Sequence, residues 1–162
     1  MTTPTTLNTQ AAHTTLDSAA LLDLLPHRPP IVMIDLLRVG ADRSSAVGHK
    51  TIGPDEPCFQ DTEQTGSRAY PRGLVVESLG QAAAALWLLR QRERRDGPAT
   101  VKVLYFAKAQ GVRFLGDAHP GDELVHEVRF EREVGETAIM SGRTSAGGVP
   151  IAVVDSLIAA SR

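Results

Sequence analysis

Apolar and polar positions follow different rhythms along this chain. From Gly73 to Leu89 apolar residues fall on every face of a helical wheel, and Glu77 is the one ionisable side chain between Arg72 and Arg90. Pro71 to Arg95 therefore reads as a helix buried all round rather than an amphipathic surface helix. It is too short, and too interrupted by polar residues, to read as a membrane span. A two-residue rhythm governs Leu124, His126, Val128 and Phe130, which points to a sheet with one buried face and one more polar face. Residues 1 to 14 show neither rhythm and are rich in threonine, so a mobile tail is expected there, followed by a single domain over 15 to 162.

The remaining elements follow from turn and stop signals. Leucines at 16, 21, 22, 24 and 25, with Asp17 or Ser18 as cap, predict a short helix ended by Pro26, Pro29 and Pro30. Branched residues from Ile31 to Val39 predict a strand, the turn Gly40-Ala41-Asp42 follows, and Ser45 to Ile52 pairs back as a hairpin. Gly53 to Arg72 is a long loop, and loops of that length are often functional. Beyond the central helix, strands are expected at Thr100–Ala107, Glu123–Glu131, Glu136–Thr144 and Pro150–Ala159. This order predicts an α+β domain whose antiparallel sheet wraps one long helix.

Composition narrows the chemistry. Hydrophobic residues at 42% and charged residues at 22% are ordinary for a globular protein. A net charge of −2 gives no global argument for nucleic acid, and no recognition motif or aromatic platform adds one. The single cysteine, Cys58, excludes an internal disulfide and a cysteine-based zinc cluster. Five scattered histidines show no ligand spacing, so no metal is expected. With no secretory signal visible, a cytoplasmic location is expected.

Three blocks carry a resemblance. The first is Leu24-Leu25-Pro26-His27-Arg28-Pro29-Pro30 and the apolar run to Asp35. The second is Glu56-Pro57-Cys58-Phe59-Gln60, Pro71 and Leu74-Val75-Val76-Glu77-Ser78-Leu79-Gly80-Gln81. The third is Tyr105-Phe106-Ala107, Val112-Arg113-Phe114 and Pro120-Gly121-Asp122. In this order they resemble the β-hydroxyacyl-acyl carrier protein dehydratases of fatty acid synthesis, which implies the hot-dog fold. The family's catalytic carboxylate falls on Glu77. Its catalytic histidine, in a Gly-His-Phe-Pro stretch, has no counterpart: the place reads Asp61-Thr62-Glu63-Gln64, and no histidine occurs from residue 50 to 118. Thr62 most nearly occupies the position, with Glu63 the alternative.

Dehydration of a β-hydroxyacyl thioester removes an α-proton and expels a β-hydroxyl. A histidine suits the first step and a protonated carboxyl the second. The resemblance thus implies Glu77 as the acid and Gln81, one helical turn on, as its orienter. Backbone donors near Gly73 would receive the thioester oxygen, with Leu74, Phe59 and Thr62 around the substrate. Because the family's two catalytic residues come from different subunits, the missing histidine implies a heterodimer with a homologous, histidine-bearing dehydratase subunit. Such assemblies resemble those of reducing polyketide or polyene pathways. The substrate would ride on the phosphopantetheine of an acyl carrier protein, with no other cofactor. Two alternatives stand beside this: a hot-dog thioesterase using the helix carboxylate, and a non-catalytic stabilising subunit.

The ordinary explanations differ from residue to residue. Alone, Glu77 would be a solvated glutamate in the first turns of a helix; the flanking blocks favour function. His27 is expected to anchor a loop, His49 to lie on the surface, and Cys58 to fill space as a small apolar residue. Arg94, Arg95 and Arg113, with Arg90, Arg92, Lys102 and Lys108, form a candidate rim for an acidic carrier protein. A solvated helix end interleaved with Glu93 and Asp96 explains them equally well.

Overall fold

A computed structural model describes residues 13–60, 68–94 and 104–161. Among these residues, seven strands form one antiparallel sheet. They are β1 (Thr14–Leu16), β2 (Leu36–Val39), β3 (Ser45–Thr51), β4 (Leu104–Phe114), β5 (Glu123–Val134), β6 (Thr137–Ala146) and β7 (Val149–Ser161). Their order across the sheet is β1-β2-β3-β5-β6-β7-β4. Two helices, α1 (Ser18–Leu24) and α2 (Arg72–Arg94), and a 3₁₀ turn at Pro57–Phe59 complete the fold.

Helix α2 lies against the inner face of the sheet and is buried all round, as its sequence predicts. Val75, Leu79, Leu86, Trp87 and Leu88 are buried with the whole run Ala82–Ala85. Full burial of a side chain such as Leu79 or Leu86 contributes roughly 1.5–3 kcal/mol, so this helix organises the core. Glycine lets the helix approach closely at two points. A Cβ on Gly48 would stand 2.9 Å from the Ala82 Cβ, and one on Gly142 would stand 2.9 Å from Leu79 Cδ1.

The inner face also carries a polar row. Gly48 pairs with His126, His126 with Thr144, and Thr144 with Ala152. His126 and Thr144 are fully buried, and Nδ1 of the imidazole bonds Thr144 Oγ1 at 2.8 Å. Burial, reinforced by the nearby charge of Lys50 and by His49, pushes the His126 pKa down to about 3. The imidazole is therefore a neutral core residue. Lys50 is held by Glu56, Nζ to Oε1 at 2.9 Å, and lies 5.6 Å from the centre of the Tyr70 ring.

Two expectations need correction. The strand foreseen at Ile31–Val39 begins only at Leu36, with pairing prepared by the Asp35 N–H donating to the His49 carbonyl at 2.8 Å. Upstream, the Ile31 N–H turns back to the Arg28 carbonyl, and the Ile31 carbonyl and Met33 N–H are taken by the side chain of Gln81. Once those backbone groups are satisfied by a helix side chain, they have no need of a neighbouring strand. At the start of the chain, Thr14 pairs with Val39 instead of trailing, and α1 starts after the Asp17 cap, whose carboxylate accepts the Ala20 N–H at 2.9 Å. Of the strand expected at Thr100–Ala107, residues 100–103 lie outside the described residues; β4 runs on to Phe114 through Gly111. Gly111 adopts φ +62°, where a side chain would also collide with Asp155.

Candidate active site

Helix α2 places Glu77 and Gln81 one turn apart on the same face. Gln81 is buried, and both its amide nitrogen and its oxygen are engaged. Nε2 donates to Glu77 Oε1 at 2.9 Å and to the Ile31 carbonyl at 2.8 Å, while Oε1 accepts the Met33 N–H at 2.8 Å. The backbone N–H of Met33 can only donate, so the amide orientation is determined. One side chain thus ties the loop before β2 to the helix and holds a glutamate oxygen in place.

The same loop delivers His27. Its Nε2 lies 3.7 Å from Glu77 Oε1, and its buried Nδ1 has no partner among the described residues. The loop backbone is fastened by Arg28, whose guanidinium donates to the Leu25 and His27 carbonyls at 2.8 and 2.7 Å, and by Gln81. His27, Glu77, Gly80, Gln81, Ala84, Phe106 and Ala159 line a cavity of about 40 Å³. Both ionisable side chains reach it from positions that are only partly covered, His27 25% and Glu77 38% exposed. Phe106 roofs the helix at Gly80, where a Cβ would sit 3.1 Å from the ring. A larger concavity of about 700 Å³ lies on the outer sheet face, where Arg143 is engaged with Glu127, Glu131 with Ser141 and Asp155 with Arg113.

The other candidate residues are dispersed. Gly73 is exposed in the first turn of α2, with nothing within 4 Å of an added Cβ. Phe59 and Leu74 belong to a second core cluster with Tyr70 and Val75 rather than to the cavity wall. Thr62, Glu63, Arg95 and Lys102 lie outside the described residues. Arg94 pairs with Glu133, Arg92 with Asp23, and Arg113 with both oxygens of Asp155 at 2.7 and 2.8 Å. Arg90 stacks 3.9 Å from the centre of the Phe130 ring. His49 meets Glu123 at 3.0 Å. Burial pushes the Cys58 thiol up, away from thiolate character. Among the described residues no group of three or more His, Cys, Asp or Glu could hold a metal, and no helix is long and apolar enough to cross a membrane.

The proximity of His27 to Glu77 was not anticipated from the sequence. The two residues are fifty positions apart, and the Gln81 bridge, with Leu25 and Ile34 packed in the same core as the helix, brings their segments together.

A long buried helix bearing a held carboxylate, wrapped by an antiparallel sheet, defines an α+β protein of the hot-dog class. The FabA-like domain family matches residues 25–155, and the chain belongs to that family. It is 31% identical over 137 residues to the 3-hydroxyacyl-[acyl-carrier-protein] dehydratase FabZ of Paramagnetospirillum magneticum, covering 85% of this chain and 82% of that one. Against the FabZ of Rhodospirillum rubrum it is 35% identical over 122 residues, covering 75% and 73%. Among solved structures it resembles a chain of the dehydratase heterocomplex ApeI:P from Xenorhabdus doucetiae, with a TM-score of 0.72, 18% identity, and 88% and 90% coverage. A hypothetical thioesterase with coenzyme A from Streptococcus pneumoniae shares the fold more loosely, at a TM-score of 0.52, 8% identity, and 74% and 80% coverage.

Proposed function

We propose that this chain is a subunit of a 3-hydroxyacyl-acyl carrier protein dehydratase, contributing Glu77 to a site completed by a histidine of a homologous partner. The observation that carries the proposal is the Glu77–Gln81 pair beside a cavity, in a FabA-like domain about a third identical to FabZ enzymes. Gln81 donates to one oxygen of Glu77, leaving the other to protonate the departing β-hydroxyl. The partner histidine takes the α-proton, and the exposed first turn of α2 at Gly73 offers backbone donors to the thioester oxygen.

Assembly fits the sheet. Among the described residues β4 is hydrogen-bonded on one side only, to β7, and Phe106 and Val112 stand 45% and 36% exposed on it. A long open edge with apolar residues favours strand addition by another chain. A cavity of about 40 Å³ holds no long acyl chain, so a tunnel for one forms when Phe106 is repositioned against a partner. The ApeI:P heterocomplex is a dehydratase built from unlike subunits, which makes this arrangement chemically familiar. A reducing polyketide, polyene or fatty-acid-like pathway supplies such substrates. Arg94 and Arg113 serve the carrier protein in this reading, and each must exchange its present partner, Glu133 or Asp155, for the carrier's acids, so docking weakens with salt.

The test is co-purification with a histidine-bearing homologue and a dehydration assay on a 3-hydroxyacyl carrier protein, comparing each chain alone with the mixture. The proposal expects the mixture to exceed the sum of the separate chains many-fold. Free acid released by this chain alone would replace the dehydratase with a thioesterase.

A further inference from the structure

Residues 61–64 hold no histidine, yet Glu77 is not without one. The loop before β2 brings the His27 Nε2 to 3.7 Å from Glu77 Oε1, and both line the same cavity from partly open positions. The ring is not occupied elsewhere: Nδ1 has no partner among the described residues, and Arg28 and Gln81 fasten the loop in its stead. Gln81 donates to Glu77 Oε1 and simultaneously grips the loop that carries His27, so one amide sets the spacing of both groups.

We propose that His27 and Glu77 form an acid–base pair within one chain, giving this protein a slow dehydratase activity of its own. The inference rests on the reading of Glu77 as the dehydratase acid. In the step, the lone pair of His27 Nε2 takes the α-proton, and the Cα–H electrons become the Cα=Cβ double bond. The Cβ–O bond breaks with its electrons on oxygen, which takes the proton of the Glu77 carboxyl and leaves as water. The chain is left with an imidazolium beside a carboxylate. Passage of one proton from His27 to Glu77 restores both, with no external donor. Two groups this close both address a Cα–Cβ bond from the same side, so the hydrogen and the hydroxyl leave from one face. The small cavity restricts the self-contained activity to short acyl groups.

The experiment uses the full-length chain alone and in complex with the histidine-bearing homologue, with 3-hydroxybutyryl-pantetheine thioester as probe and enoyl thioester absorbance as readout. The chain alone turns over, and Glu77→Gln or His27→Gln each lowers its rate at least about 100-fold. The double variant is no slower than either single variant, as expected of residues acting as a unit. Should His27→Gln fail to fold, His27→Asn serves in its place, with folding checked by circular dichroism. Inactivity of the chain alone while the complex turns over, or an undiminished His27 variant of the chain, would overturn the inference and leave the dehydratase reading standing. No dehydration by either preparation would remove that reading, and the inference with it.

Discussion

Acidification is expected to destabilise this protein through a single imidazole in the core, more steeply than its surface carboxylates require. His126 is fully buried between Gly48 and Thr144, and its pKa is held down to about 3, chiefly by burial. In the unfolded chain the imidazole titrates near 6.5. Because the folded value is the lower one, the unfolded state binds the proton first. Stability is therefore complete above about pH 6.5, falls by about 1.4 kcal/mol per pH unit below it, and levels off beneath the folded pKa. The whole effect is about 3.5 units, or roughly 5 kcal/mol, of which about 2 kcal/mol is lost by pH 5. That is a large fraction of the stability of an ordinary domain. The assay is urea denaturation at a series of pH values, comparing the wild type with His126→Gln, which keeps a hydrogen-bonding group for Thr144 but does not titrate. Carboxylate contributions are common to both proteins and cancel in the difference. Parallel stability–pH curves would refute the reasoning.

Two further substitutions probe how the site is built. Gln81→Leu removes three hydrogen bonds and strips the Ile31 carbonyl and Met33 N–H of their side-chain partner. It is expected to cost about 2–3 kcal/mol in chemical denaturation, and a loss under about 0.5 kcal/mol would mean the loop is held by other means. Gly48→Ala drives a methyl to 2.9 Å from the Ala82 Cβ and is expected to cost about 1–3 kcal/mol. Pairing it with Ala82→Gly relieves the clash, so a double-mutant cycle reads a favourable coupling of about 1 kcal/mol or more; simple additivity would contradict the packing described.

Periodicity made the frame of this molecule legible. An apolar wheel interrupted only by Glu77, Ser78 and Gln81 becomes α2, and the alternation from Leu124 to Val128 becomes the inner face of β5. Even His126 reads correctly as an inward position, although its neutral state follows only from burial. Contacts over long sequence distances were not legible. The shortening of β2 comes from Gln81, roughly fifty residues downstream, which no local propensity encodes. The same bridge sets His27 beside Glu77, while Arg94 on α2 and Arg113 on β4 meet acidic neighbours on β5 and β7. Phe59 and Leu74, which the resemblance places around the substrate, pack in the second core cluster with Tyr70 and Val75.

Substitution of one oxygen tests the central claim most directly. Glu77→Gln keeps the size of the side chain and an oxygen that accepts a hydrogen bond, but it supplies no acidic proton. It is introduced into the complex with the histidine-bearing homologue, and 3-hydroxyacyl carrier protein dehydration is followed. The account predicts a fall in kcat of about 10² to 10⁴ with assembly of the complex unchanged; turnover at the wild-type rate by an intact complex would contradict it.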